Sequence, residues 1–76
     1  MQELFEIIVT YAEYRQGFVA ELWLHNVHLG ELYEDGQGGK HLELYFMQEG
    51  ELSLPLEAFQ EVLQRAKDRL WPPAKL

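Results

Sequence analysis

Residues 18–34, FVAELWLHNVHLGELYE, alternate in hydropathy on both sides of the dipeptide His25-Asn26. A period of two residues is typical of β-strands that bury one face. Asparagine tolerates the left-handed backbone region that a two-residue turn requires, so the dipeptide is predicted to join two antiparallel strands. These strands are predicted over about 18–24 and 27–34. The alternative is one long strand that runs through residue 33 and has a bulge at Asn26.

Two further strands are predicted from the same alternation on either side of this hairpin. One covers about 4–11 and is rich in β-branched and aromatic residues, which pleated surfaces favour. The other covers about 40–47 and follows residues 35–39, a loop with three glycines. Because short connections cannot form parallel crossovers, the four strands are predicted to form an antiparallel meander.

A helix is predicted over about 55–70, because the hydrophobic period changes there. Apolar side chains recur at steps of three and four residues and form one stripe, made of Phe59, Val62, Leu63, Ala66 and Leu70. Pro55 can begin the helix, since its missing N–H is not needed in the first turn, and Pro72-Pro73 end it. Residues 71–76 are predicted to form a C-terminal tail.

The chain is therefore predicted to be a single α+β domain, residues 1–76, with the order β-β-β-β-α and two layers. Its 76 residues suffice for one modest core. The helix is expected to cover the sheet face that carries Phe5, Ile7, Val9, Phe18, Ala20, Leu22, Leu24, Val27, Leu29, Leu42, Leu44 and Phe46.

The other face of the sheet is predicted to be an open surface that mixes carboxylates with aromatic and aliphatic side chains. Its expected members are Leu4, Glu6, Ile8, Val19, Glu21, Trp23, His28, Leu32, Glu34, His41, Glu43, Tyr45 and Met47. Exposed apolar patches often mark contacts, and Trp and Tyr often dominate binding energy. We therefore expect a partner-binding surface with the anchors Trp23, Tyr45 and Met47, and with Glu6, Glu21, Glu34 and Glu43 supplying steering and register. The alternative is that the sheet bends and these side chains cover one another.

The net charge of −7 is concentrated in residues 1–54, where ten acidic residues face two basic ones. This balance disfavours direct binding to nucleic acid and favours a partner protein with a basic, nucleic-acid-binding surface. Alternate residues on a strand lie about 6.6–6.8 Å apart, close to the spacing of successive phosphates. The carboxylates that could imitate a phosphate track are Glu6, Glu21, Glu31, Glu34, Asp35, Glu43, Glu49 and Glu51. Solubility alone is the alternative explanation of the charge.

Residue types that carry catalysis are scarce in this chain. It has no cysteine, one serine and one threonine. The glycine-rich loop precedes a strand instead of a helix, so it matches no phosphate-binding fingerprint. We expect no enzymatic activity, no catalytic residue and no cofactor. His28 and His41 could face one another beside Glu43 or Glu34, but their spacing is not diagnostic, and no metal is expected.

The class of protein follows from these exclusions. The apolar runs are too short to span a membrane and the N-terminus lacks the pattern of a signal peptide, so we expect a cytoplasmic protein with no membrane partner. We expect a non-enzymatic protein-binding module, a small acidic inhibitor or regulator of the immunity, anti-defence or phosphate-mimic type. The alternative is a structural homodimer, joined by sheet faces or edge strands, with no inhibitory role.

Overall fold

The fold is known from a computed structural model that describes residues 4–45 and 52–74. Its strands are β1 (Phe5–Ala12), β2 (Gly17–Leu24), β3 (Val27–Glu34) and β4 (Lys40–Leu44), and its helix is α1 (Leu56–Leu70). A single 3-10 turn, Glu13–Arg15, joins β1 to β2. The sheet is antiparallel with the order β1-β2-β3-β4, and α1 packs on it. The predicted α+β architecture is confirmed.

A two-residue turn joins β2 to β3. His25 and Asn26 both lie in the left-handed region, with φ of 49° and 66°, and Leu24 pairs with Val27 directly across the turn. Two successive left-handed residues match the twist of the flanking strands. The alternative of one long strand bulged at Asn26 is therefore wrong.

The core lies between α1 and the first two strands, because the helix packs mainly on β1 and β2. Val62 and Ala66 are fully buried on the helix, and Leu22 is fully buried beneath it. The ring of Phe59 meets that of Phe5 at a centroid distance of 5.9 Å. Burying such a side chain contributes about 1.5–3 kcal/mol, so these residues hold the two layers together.

This off-centre position of the helix leaves part of the predicted core face exposed. Phe18 is 62% exposed, Val27 51% and Leu42 38%, so the prediction that the helix covers them is wrong. Phe18 packs instead on Tyr11, edge to face, at 5.5 Å. Phe46, also predicted to lie in the core, is outside the described residues.

A β-bulge changes which residues of β3 face the helix. Leu22 pairs with Gly30, but the next residue, Trp23, pairs with His28, so Leu29 is an extra residue in the ladder. A bulge of this kind shifts the alternation of the strand by one. Leu32, predicted to lie on the open face, is only 5% exposed and belongs to the core.

The same shift moves the polar residues of β3. Glu31 and Tyr33 lie on the face away from the helix, whereas Glu34 shares the helix side with Leu32. Glu34 pairs with Lys40, whose ammonium lies over the ring of Trp71 at the end of α1. The prediction that Glu34 belongs to the open acidic face is therefore wrong.

Asp35 organises the loop between β3 and β4. Its Oδ1 accepts hydrogen bonds from the backbone N–H groups of Gln37 and Gly39 at 2.9 and 2.8 Å. Its Oδ2 accepts one from Nε2 of His41 at 2.7 Å. The His41 hydrogen bond, followed by the two backbone donors, lowers the pKa of Asp35 from 3.8 to about 2.

We expect a carbon-13 NMR titration of the Asp35 carboxyl group to have its midpoint near pH 2. Since the folded-state pKa lies below the unfolded one, the ionised carboxylate stabilises the loop above about pH 4, and this contribution is lost as the pH falls towards 2. His41→Ala should raise the midpoint towards 3.8. Gln37→Ala keeps its backbone donor and should leave the midpoint unchanged. A wild-type midpoint of 3.8 would contradict this loop geometry.

Within residues 4–45 and 52–74, no helix is long and apolar enough to cross a membrane.

Candidate functional site

The candidate site is the sheet face away from α1, which we name the second face. Among the described residues it consists of Glu6, Ile8, Thr10, Val19, Glu21, Trp23, His28, Glu31, Tyr33, His41, Glu43 and Tyr45. Five of the seven predicted partner-binding residues lie on it, namely Glu6, Glu21, Trp23, Glu43 and Tyr45. Glu34 does not, and Met47 lies outside the described residues.

Three glutamates form a row across the second face. Glu21 on β2 pairs with Glu31 on β3, and Glu31 pairs with Glu43 on β4. Neighbouring strands lie about 4.7–4.9 Å apart, so like charges that face each other directly repel. A nearby cation is therefore needed to offset this repulsion in the folded chain.

Arg15 supplies that cation from the turn between β1 and β2. Its Nε donates to Oε2 of Glu31 at 2.8 Å, and its Nη2 forms a salt bridge with Glu43. The guanidinium lies 3.5 Å from the centre of the Tyr33 ring and makes a cation–π contact with it. Arg15 therefore fastens the turn to β3 and β4, although it is 16 residues from Glu31 along the chain.

Glu31 is the centre of this arrangement and the buried charged residue of the described chain. The hydroxyl of Tyr14 donates to both carboxylate oxygens, at 2.6 and 2.8 Å, and the hydroxyl of Tyr45 also hydrogen-bonds to the carboxylate. Burial by itself would raise the pKa of Glu31. The hydrogen bonds from Tyr14, Arg15 and Tyr45 outweigh it, so the pKa lies below its ordinary value.

The pKa values of the donors shift in the matching directions. The pKa of Tyr14 is raised, chiefly by its hydrogen bond to Glu31. The pKa of Tyr45 is raised by burial first and then by its hydrogen bonds to Tyr14 and Glu31. Burial disfavours the charge of Arg15, but Glu31 and Glu43 outweigh this effect and raise its pKa. At neutral pH the cluster holds an ionised Glu31, a charged guanidinium and two neutral phenols.

An aromatic cluster adjoins the glutamate row. The indole of Trp23 stacks on the ring of His28 at 4.6 Å with an interplanar angle of 5°, and its Nε1 donates to Oε1 of Glu21 at 3.1 Å. The rings of Tyr45 and His28 are nearly perpendicular, with their centroids 5.0 Å apart. Trp23 is half-buried and faces away from α1, as the alternation of β2 predicts. Its indole is held in one orientation by its neighbours in the sheet.

The histidines are not arranged as the sequence suggested. His41 stacks on Tyr33 at 5.0 Å and donates to Asp35, so the expectation that it faces His28 is wrong. His28 instead lies beside Glu21 and Glu31, and each of the three offers a ligand atom within 4.8 Å of the other two. One imidazole nitrogen and two carboxylate oxygens are donors that a divalent metal ion accepts.

No known protein family matches the chain, and comparison with curated proteins and with solved structures finds no match either. Its function is therefore inferred from the geometry of the second face alone.

The sequence does not single out Tyr14 or Arg15, and it offers Glu31 only as one of the eight carboxylates that could imitate a phosphate track. These three residues form the centre of the second face. Without a bulge, the alternation of β3 predicts that Glu31 shares a face with Val27 and Leu29, opposite to the expected partner-binding residues. One signal was present in the sequence. Leu29 and Leu32 are three residues apart, which breaks a strict period of two and is compatible with a bulge between them.

Proposed function

We propose that this protein is a non-enzymatic protein-binding module, a small acidic inhibitor or regulator that binds a larger protein through its second face. The observation that carries the proposal is the position of Trp23. Its half-buried indole lies on the face away from α1, and Trp23 pairs with Glu6 on the adjacent strand β1. A large aromatic side chain beside acidic groups is the composition of a binding hot spot for a basic partner.

The fixed orientation of Trp23 favours binding. Stacking on His28 and the hydrogen bond to Glu21 restrain the indole before a partner arrives. Ordering a mobile side chain at an interface costs about 0.5–1.5 kcal/mol. A side chain that is already ordered avoids most of this cost, so Trp23 can contribute more of its contact energy to affinity.

The charges that a partner would meet are those that Arg15 leaves uncompensated. Within the described ranges, Glu6 and Glu21 form no salt bridge, and the single guanidinium of Arg15 is shared by Glu31 and Glu43. The resulting negative potential steers a basic partner towards this face. Glu31 is buried, Glu34 lies on the helix side, and Glu49 and Glu51 are outside the described residues. A phosphate-mimic form of the proposal would therefore rest on Glu6, Glu21 and Glu43, with Asp35 in the neighbouring loop.

Replacing Trp23 with alanine should weaken partner binding by about 2 kcal/mol, roughly 30-fold, while the chain stays folded. The partner is first captured from the native host by wild-type protein, and its affinity for each purified variant is then measured by calorimetry. Phe18→Ala is the matched control, because Phe18 is an exposed aromatic residue on the helix side. A circular dichroism melt of each variant verifies the fold.

Charge and salt give a second readout of the same experiment. Glu6→Lys and Glu21→Lys should each weaken the complex, and the wild-type affinity should fall as the salt concentration rises, because exposed charge pairs are screened. Equal losses for Phe18→Ala and Trp23→Ala, or an affinity indifferent to both glutamate variants, would contradict binding through the second face.

A homodimer is the second candidate, and it is favoured by the outer edges of β1 and β4, which pair with no other strand of the described residues. Exposed strand edges are templates for pairing with another chain. Light scattering at micromolar protein concentration distinguishes the two candidates, since a monomeric mass removes the homodimer.

A further inference from the structure

We propose that Glu21, His28 and Glu31 bind one divalent transition-metal ion of the zinc class on the second face. One ligand atom of each residue lies within 4.8 Å of the others. Metal–ligand bonds of about 2.0–2.2 Å place two ligands of one ion within roughly 4 Å of each other. Small side-chain movements therefore close the group around an ion. This site concerns the isolated chain and does not depend on the proposed partner.

A buried nitrogen without a partner is the second observation behind the site. Nε2 of His28 is inaccessible to solvent and has no hydrogen-bond partner among residues 4–45 and 52–74. Buried polar atoms in folded proteins nearly always have a partner, so an isolated one calls for an explanation. Neutral imidazole nitrogen is the commonest metal ligand in proteins. We assign the metal bond to this nitrogen.

The neighbours of His28 restrict its ring to one position. The indole of Trp23 stacks on the ring at 4.6 Å, and the ring of Tyr45 lies nearly perpendicular to it, with the centroids 5.0 Å apart. Contacts that orient a metal ligand are typical of the surroundings of metal sites. The ring needs little reorganisation to bind an ion, which favours affinity.

Charge in the glutamate row also favours a divalent cation. Glu21, Glu31 and Glu43 carry three negative charges and Arg15 one positive charge, so two negative charges remain at neutral pH. The Glu31 carboxylate accepts from three donors, the hydroxyl of Tyr14, Nε of Arg15 and the hydroxyl of Tyr45. An ionised carboxylate has about four lone-pair sites, so one remains for the ion.

The donor set indicates which ion binds. One imidazole nitrogen with two carboxylate oxygens suits zinc and its first-row neighbours, whereas calcium requires six to eight oxygen ligands. The expected order of affinity is Zn²⁺ above Mn²⁺, with Ca²⁺ weakest. Water completes the coordination, since three protein ligands leave a position open.

Calorimetric titration of the chelator-treated, full-length chain with zinc chloride tests the site, with calcium chloride as the comparison. We expect saturable binding of one Zn²⁺ per chain and much weaker binding of Ca²⁺. His28→Gln and Glu21→Gln should each weaken Zn²⁺ binding by about tenfold or more, because the loss of an outer-shell partner alone costs 10–100-fold. NMR spectra should show Zn²⁺-dependent shifts at the ring of His28.

Two matched variants separate a defined site from diffuse electrostatic attraction. His41→Gln removes an imidazole from the same face, and Glu6→Gln removes a carboxylate, but neither residue belongs to the group. Both should bind Zn²⁺ like the wild type. Absence of saturable binding, or equal losses for the two controls, would overturn the proposal. The titration contains no partner protein, so its failure would leave the proposed function standing.

Discussion

Replacing Gly30 with alanine is expected to separate β4 from β3 and to lower the free energy of unfolding by about 3 kcal/mol. A Cβ atom at Gly30 would lie 2.0 Å from the backbone oxygen of Glu43 and 3.0 Å from Cα of Leu44. Both contacts are with the backbone of the paired strand, which cannot rotate away as a flexible side chain would. The methyl group therefore fits only if the strands separate.

Urea denaturation measures the change in stability, and amide hydrogen exchange shows where the pairing is lost. Exchange should accelerate most along β4, whose single neighbour in the sheet is β3 within residues 4–45 and 52–74. Gly17→Ala is the matched control, because Gly17 also lies in a strand and a Cβ atom there meets nothing within 4 Å. Its stability should change by less than about 0.5 kcal/mol. Similar stability of the Gly30 and Gly17 variants would show that β3 and β4 are not this close.

The elements of the fold could be predicted because each has a clear hydrophobic period. Alternation with a period of two marks the strands, and the change to steps of three and four after Pro55 marks the helix. Short connections then permit only neighbouring antiparallel pairs. The order of the elements thus follows from local pattern and chain geometry, without knowledge of any long-range contact.

The faces of β3 could not be predicted, because a bulge depends on the pairing between strands. Val27 and Leu29 suggest that the odd-numbered residues of β3 face the core, whereas Leu32 suggests that the even-numbered residues do. The structure resolves this conflict by placing Leu29 and Leu32 in the core and Glu31 on the second face. One inserted residue therefore moved Glu34 out of the predicted site and Glu31 into it.

The contacts at the centre of the site could also not be predicted from local sequence patterns. Arg15 approaches Glu31 only because the turn after β1 folds over the sheet, and the two residues are 16 positions apart. Nothing in the spacing of a turn residue and a strand residue indicates a salt bridge. The predicted anchors Trp23 and Tyr45 lie on the expected face, as does His28. Their contacts with His28 and the burial of Glu31 beside them depend on the register of the strands.

Replacing Glu31 with alanine is expected to lower the free energy of unfolding by about 3–4 kcal/mol, since removing the buried partner of an ion pair is strongly destabilising. Only the exposed Glu43 would then compensate the charge of Arg15. The guanidinium of Arg15 would lose its buried partner, and Tyr14 and Tyr45 would lose their common acceptor. The turn between β1 and β2 would then lose its main fastening to β3. Urea denaturation of the purified variant measures the loss.

Two further variants test whether the lost stability comes from the buried ion pair. Glu43→Gln removes the exposed partner of the same Arg15, and a solvent-exposed pair contributes only about 0–1 kcal/mol, so this control should remain near wild-type stability. Combining Glu31→Leu with Arg15→Met removes both charges, and apolar replacement of a buried pair is often neutral. The double variant should therefore recover much of the stability that Glu31→Ala loses. If Glu31→Ala cost no more than Glu43→Gln, the buried carboxylate would not be what holds the turn on the second face.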